Sequence, residues 1–438
     1  MLINFPLVTF AGCDVWQAQR VINADTQKSC YITVSTLPEV KSIQITKDKI
    51  NAPNSLGNLY RFCQCLLDAQ HDHPNKTIVL CAGRNIKVIT RCALLLGGFF
   101  IVCKNMDIDE ILDRFSPISS KFIQFQASSD SNDSISVVDC WHAIYRANKN
   151  GWLNLSSTPD FDRCIDMQEH LHYDKPANGS LHVIVPGKLL AFPCPADLPY
   201  GTTYADSDGE RQFSACYYAD IFEDFGVRMV VRCGGPAYDT RAFQQLGIGV
   251  EDLPVGGDAG AAGMLRAADR FLTLARLAPG AVAVHGGARD GSLGDGGRLL
   301  AEAYLIRHHG FAGRDALAWA LMAHPGPAAR AAFVVAVEET VPGGARAPSR
   351  AAAAASAAAS AGGLVAALLL VGGEGALAAA AAGRDAPSRR VAALAGRPQS
   401  WSTDSDSLRF DSDSLRVACA RGAEAALPLA LPPPPERV

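Results

Sequence analysis

AVAVHGGARDGSLGDGGRLLAEAYLIRHHG, residues 281–310, is the stretch on which the fold turns. AVAVH at 281–285 is a short run of the kind that makes a buried strand. The glycine-rich HGGARDGSLGDGG at 285–297 follows. RLLAEAYLIRHHG at 298–310 then has helical spacing and ends at Gly310, a C-cap residue type. A glycine-rich turn between a buried strand and a helix N-terminus presents successive backbone N–H groups to an anion, and the helix dipole adds to the attraction. Such turns are common, and on residue type alone a tight turn without a ligand is the default.

Working outward, the same pattern recurs. IVLCAG at 78–83 is an apolar run ending in a turn and is followed by the helical stretch VITRCALLLGGFFIV; MVVRCGG at 229–235 reads alike. Strands alternating with helices predict an α/β fold, with a parallel or mixed sheet covered on both faces. A chain of 438 residues, 48% hydrophobic and 19% charged, has material for more than one core, and two units are expected, joined near the acidic stretch Thr158 to Gly179. Lys and Asn disappear after Lys188, and from about Thr340 the chain is low-complexity: AAAAASAAASAGG at 351–363, a doubled DSDSLR, and a closing LPPPPERV. That tail lacks the large, varied side chains of a core and is expected to be mostly disordered. Within it, Ala351 to Gly373 is uncharged and long enough to span a bilayer, but its apolarity is mostly Ala and Gly, so a span is not expected.

Forty Lys and Arg against 44 Asp and Glu give a net charge of −4, so no basic surplus points to nucleic acid or to an anionic membrane. Thirteen scattered cysteines, odd in number and without a CxxC pair, fit reduced thiols better than disulfides or structural zinc. The N-terminus, MLINFPLVTFAGC, has no Lys or Arg before its short apolar stretch, which argues against a secretory signal. An intracellular protein, in cytoplasm and/or nucleus, is the expectation.

Several separated pieces carry a family resemblance: INAPNSLGNLYRFCQ at 50–64, VVDCWHAIYRANKNG at 137–151, NGSLHVIVPGKLLAF at 178–192 and FEDFGVRMVVRC at 222–233. GVEDL at 249–253, AVAVH at 281–285 and ALAWALMAHPG at 316–326 follow in order. From about Tyr31 to Pro327 the sequence resembles the cell-division-cycle-fourteen family of dual-specificity protein phosphatases, related to protein tyrosine phosphatases. The resemblance implies two tandem phosphatase-like domains, each a central mixed sheet flanked by helices: a non-catalytic, substrate-binding domain over 25–157 and a second domain over 180–335. An acidic linker over 158–179 joins them, and the tail runs over 336–438.

It further implies a cysteine-dependent phosphatase with the loop HCxxGxxR, in which a thiolate attacks phosphorus and an Arg grips the phosphoryl oxygens. Here that loop is His285, Gly286, Gly287, Ala288, Arg289, Asp290, Gly291 and Ser292, with Gly286 at the nucleophile position and Ser292 at the Arg position. In gapless register the general acid falls on Gly257, and Asp258, one residue later, is the candidate. The Gln residues that position the hydrolytic water have no counterpart after Gly326. The first domain's equivalent loop runs from Cys81 to Lys87, with Leu80 in place of the His; a buried thiol at a strand end is the expectation there. Of the linker acids Asp160, Asp162, Asp166, Glu169 and Asp174, Glu169 and Asp174 match in register a groove that takes basic residues after a phospho-Ser/Thr-Pro site.

The resemblance therefore implies phosphoprotein partners in cell-cycle regulation, with no cofactor and no metal. Two readings stay open. One is a pseudophosphatase that still binds phosphoproteins. The other is an active phosphatase with an unconventional loop or an erroneous gene model around 286–292.

Overall fold

The structure, a computed structural model, describes residues 2–5, 8–11, 29–33, 52–126, 134–153, 163–207, 209–255, 260–287 and 294–325. The tail, with Ala351 to Gly373, and the linker acids Asp160 and Asp162 lie outside the described residues. The chain divides into one unit comprising Met1–Asp48, Asn58–Ile123 and Pro398–Val438, and another comprising Lys49–Gly57 and Gln124–Arg397.

In the first unit a four-stranded sheet forms from β1 (Leu2–Phe5), β2 (Val8–Ala11), β3 (Ser29–Thr33) and β4 (Thr77–Cys81) in the order β1-β2-β4-β3. β1 and β2 pair antiparallel, and β4 runs parallel to both β2 and β3. Its helices are α1 (Leu56–Asp72), which begins at the end of the other unit, α2 (Ile86–Lys104) and α3 (Ile108–Ser119). α2 starts at Asn85, whose side chain accepts the Lys87 N–H, and stops at Asn105 in the left-handed region at φ 50. Length and composition alone would let α2 cross a membrane, but every residue from Thr90 to Ile101 is buried in the unit. A helix apolar all round and buried all round is a core helix.

In the second unit β5 (Phe125–Gln126) and β6 (Ser134–Ile135) form a short hairpin, followed by α4 (Val137–Lys149) and α5 (Met167–Tyr173). Then come β7 (His182–Val185), β8 (Leu189–Ala191), β9 (Tyr204–Ser207), β10 (Glu210–Phe213), α6 (Ala215–Asp224), β11 (Val227–Arg232) and α7 (Arg241–Gln245). β12 (Gly249–Asp252), α8 (Gly260–Leu277), β13 (Ala281–His285), α9 (Gly294–His309) and α10 (Gly313–Ala323) complete it. Five strands form one mixed sheet in the order β12-β11-β13-β8-β7. Only β7 runs against its neighbour, through a turn that Pro186 and Gly187 (φ 66) shape and the Lys188 N–H closes on the Val185 carbonyl at 3.0 Å.

β13 sits mid-sheet, parallel to both β11 and β8, and all five of its residues are buried. That is why AVAVH reads as continuously apolar rather than alternating. The Lys188 ammonium donates to the carbonyls of Ala278 (3.3 Å) and Gly280 (3.0 Å), tying the turn before β8 to the segment that leads from α8 into β13. α4, which the sequence reading places before the linker, packs on α10; its start is a capping box between Ser136 and Asp139.

Glycines 294, 296 and 297, read from sequence as loop, belong to the first turn of α9. Packing outweighs propensity there. A Cβ at Gly296 would lie 2.6 Å from Val255 Cβ and 2.8 Å from the Val255 carbonyl oxygen, so the helix can approach only because that residue has no side chain.

Candidate functional site

Three parallel strands of the second unit end together on polar residues: β11 at Arg232, β12 at Asp252 and β13 at His285. Arg232 is in register with both Asp252 and His285. The carboxyl ends of parallel strands are where α/β sheets place their sites. The Cys233 N–H donates to the His285 carbonyl at 3.0 Å, and the N–H groups of Leu253 and Val255 donate to the carbonyls of Arg232 (3.0 Å) and Cys233 (3.1 Å). The backbone therefore fixes all three strand ends relative to one another.

The side chains form a connected network beneath the loop. Arg232, buried, grips Asp252 with both prongs, Nε to Oδ1 at 2.7 Å and Nη2 to Oδ2 at 2.8 Å. Its guanidinium lies 5.4 Å from the Tyr238 ring centre. The Tyr238 hydroxyl is 3.0 Å from His285 Nε2, and His285 Nδ1 is 2.6 Å from the Gly286 carbonyl. Burial pushes the Tyr238 hydroxyl well up and pulls the His285 imidazole down to about 4, so the imidazole is neutral at pH 7. A carbonyl only accepts, so the single ring proton belongs on Nδ1. Nε2 must then accept from the Tyr238 O–H. Phe192 packs edge-on to the imidazole at 5.0 Å and completes its seat.

Above this network stand Gly286, buried, and Gly287, exposed. Gly234, in the turn after β11, meets them closely: a Cβ there would be 2.3 Å from Gly287 Cα and 2.7 Å from its nitrogen. Two glycine backbones thus touch where a side chain would force them apart. Gly286, which the family resemblance sets at the nucleophile position, supplies only backbone. The thiol nearest in the strand register, Cys233, is buried and pushed up to about 12 by burial, far from a thiolate. Ala288, Arg289, Asp290, Gly291, Ser292 and Asp258 lie outside the described residues.

The other sequence candidates fall elsewhere. Cys81 is buried at the end of β4. The Ala82 N–H donates to Ala11 O at 2.9 Å, and Lys87 is exposed with its N–H given to Asn85. Asp166 caps α5, accepting the N–H groups of Gln168 (2.9 Å) and Glu169 (3.2 Å). Asp174, half-buried, accepts from His182 Nε2 at 2.9 Å; Glu169 is half-buried on α5. Sequence reasoning missed Arg232 and Tyr238, and also Arg298 and Glu302, buried four residues apart on α9. One signal was available: MVVR, GVED and AVAVH each close an apolar run with a charged or polar residue.

Residues 18–147 match the family described as dual specificity protein phosphatase, N-terminal half. The chain is 27% identical over 279 residues to dual specificity protein phosphatase CDC14C of Symphalangus syndactylus, covering 63% of this chain and 54% of the relative. It is 29% identical to CDC14AB of Danio rerio over 281 residues, covering 63% and 43%, and 26% identical to tyrosine-protein phosphatase cdc-14 of Caenorhabditis elegans over 288 residues, covering 63% and 38%. The chain spans about half the length of the relatives it matches. Among solved structures, a putative protein tyrosine phosphatase from Leishmania major is 19% identical over 34% of this chain and 85% of that one, with a TM-score of 0.26, too low to carry an argument. On the sequence matches, the chain is similar to the CDC14-like dual-specificity phosphatases of the protein tyrosine phosphatase superfamily.

Proposed function

We propose that this chain is a catalytically impaired member of its family, built of two tandem phosphatase-like domains, that binds phosphoprotein partners in cell-cycle regulation rather than turning them over. One observation carries the reading. Directly after His285, on a strand end whose supporting network is intact, stands Gly286, and no covalent phosphoenzyme can form on a residue without a side chain. Ser292 in place of the phosphate-gripping Arg removes a charge-assisted contact of about 1.5–3 kcal/mol.

What remains suits binding. The backbone N–H groups of a glycine-rich loop can hold a phosphoryl group weakly, and Glu169 and Asp174 favour a peptide with basic residues after a phospho-Ser/Thr-Pro site. Two measurements on the full chain test the reading. Turnover of an aryl phosphate should sit at the buffer background. In calorimetry a phospho-Ser-Pro peptide with downstream Lys and Arg should bind at least about tenfold tighter than its unphosphorylated form, since a charge-assisted contact is worth about 1.5–3 kcal/mol. Robust turnover, or equal binding of the two peptides, overturns it.

A further inference from the structure

Among the described residues every cysteine except Cys103 and Cys216 is buried, and Cys103 meets a second thiol. Cys63 lies on α1 with no exposed surface, and Cys103 lies in the last turn of α2, half-buried. The two side chains are hydrogen-bonded to each other, and both thiols are free. The same two helices are joined a second time close by. The Lys104 ammonium, one residue after Cys103, donates at 3.0 Å to Gln70 Oε1, which stands about two turns beyond Cys63 on α1. Both links lie within the first unit, so the helices that carry the thiols are held side by side by more than the thiols themselves.

The pair is asymmetric. Burial, and then the bond to Cys103, push the Cys63 thiol well above its ordinary value, so the shared proton stays on Cys63 and the Cys103 sulfur accepts it. A sulfur that accepts a hydrogen bond and reaches solvent is the one a dissolved oxidant meets. The enclosed sulfur meets its partner instead. An accessible thiol beside a sheltered one is the arrangement of an oxidised and a resolving cysteine.

We propose that Cys103 and Cys63 form an oxidation site, in which a hydroperoxide oxidises Cys103 and Cys63 resolves the product to a disulfide that latches α1 to α2. In the first step the Cys103 sulfur attacks the peroxide. An S–O bond forms, the O–O bond breaks, and the leaving oxygen departs with the thiol proton as water or an alcohol. Cys103 is then a sulfenic acid, and the peroxide has taken up its two electrons. In the second step the Cys63 sulfur attacks that of Cys103. The S–S bond forms, the S–O bond breaks, and hydroxide leaves with the Cys63 proton as water. A thiol that holds its proton tightly is a slow nucleophile in solution, and contact with the sulfur it attacks offsets that here.

Peroxide treatment of the full chain, with remaining thiols trapped by a maleimide before tryptic mass spectrometry, tests this. Hydrogen peroxide should join peptide 62–76, which carries Cys63 and Cys65, to peptide 92–104, which carries Cys92 and Cys103. The product should be lighter by two hydrogens than the two peptides together, and dithiothreitol should release both. Cys103→Ser should abolish the link, while Cys65→Ser and Cys92→Ser should leave it. Where a variant does not fold, fragmentation of the wild-type pair shows which residues carry the bond. Opening of α1 and α2 in hydrogen exchange should slow at least about tenfold on oxidation and recover on reduction, since the new bond confines the unfolded chain. Four outcomes overturn the proposal: Cys103 oxidised no faster than Cys216, a sulfenic acid on Cys103 that never passes to Cys63, a link through Cys65 or Cys92, or a link that leaves exchange in α1 and α2 unchanged.

Discussion

After β4 the chain places Cys81 at the end of a buried strand, and after β13 it places His285 and then Gly286. The first turn has the thiol but none of its activating surroundings. Leu80 precedes it, Asn85 has taken a helix N–H that an anion would use, and the only cation in phosphate-gripping register, Lys87, is exposed. The second turn has the surroundings without the thiol. A neutral imidazole is held in one tautomer, Tyr238 donates to it, and Arg232 is locked on Asp252 beneath. Scaffold and reactive group are thus separable: the network under β13 is held by packing and hydrogen bonds that never needed the cysteine.

The strongest way to break this comparison is to put the chemistry back. Gly286→Cys with Ser292→Arg should raise aryl phosphate turnover at least about 100-fold over wild type, the order expected from a missing transition-state contact alone, whereas either change alone should recover little because both act on one transition state. Asp290→Leu added to the pair should raise turnover further by removing a negative charge two residues before Ser292 in the sequence, and Asp258→Asn should lower it if Asp258 is the acid. A double variant that folds and stays at background would mean that the cradle is lost along with the thiol.

Acid separates the two units next. His285 takes its proton at about 4 when folded and near 6.5 when unfolded, so the unfolded state binds more protons between those values. The linked stability is whole above about 6.5, falls as pH drops, and amounts to about 3 kcal/mol by pH 4. All four buried histidines belong to the second unit, while His71 and His73, the histidines described in the first, are not buried. Hydrogen exchange at pH 5 should therefore open β11 and β13 while β2 and β4 hold, and His285→Asn should flatten the response of β11 and β13.

A smaller effect should come from the network itself. Tyr238→Phe leaves His285 Nε2 buried without its donor and should cost about 1–3 kcal/mol in denaturant unfolding. Because Gly234 touches Gly287 backbone to backbone, Gly234→Ala should cost a similar amount, about 1–3 kcal/mol, from overpacking. No change in the unfolding midpoint for either would show that the loop after β13 yields easily.

The strands at 77–81, 227–232 and 281–285 were legible in the sequence because an apolar run closed by glycine is too short for a core helix and too apolar for a solvated loop. Gly286 and Ser292 stand out in the sequence only against the motif that the family resemblance supplies, at its fixed spacing. What stayed hidden was three-dimensional register. Nothing in MVVR or GVED says that Arg232 and Asp252 will stand abreast, because that depends on the crossover through α7 placing β12 parallel to β11 in that register. The His182–His324 contact joins residues 142 positions apart and left no local trace. Glycines 294, 296 and 297 misled in the other direction, since their helix propensity is poor and only the approach of Val255 accounts for a helical Gly296.

The smallest effect should come from Cys81, the thiol that invites the most attention in a phosphatase relative. Its sulfur is buried at the end of β4, 3.9 Å from the Val79 carbonyl, and the residue after it is committed to Ala11. A thiol buried at a strand end packs as a small apolar side chain. Cys81→Ala should therefore cost about 1 kcal/mol of stability, the scale of deleting one buried methylene-sized group, and change phosphopeptide binding by less than about twofold. In the folded protein Cys81 should be among the slowest thiols to take up a disulfide reagent, and it should react fully once the chain is denatured. Fast labelling of Cys81 in the native state, or turnover that vanishes on Cys81→Ala, would shift the chemistry to the turn after β4 and reverse the comparison.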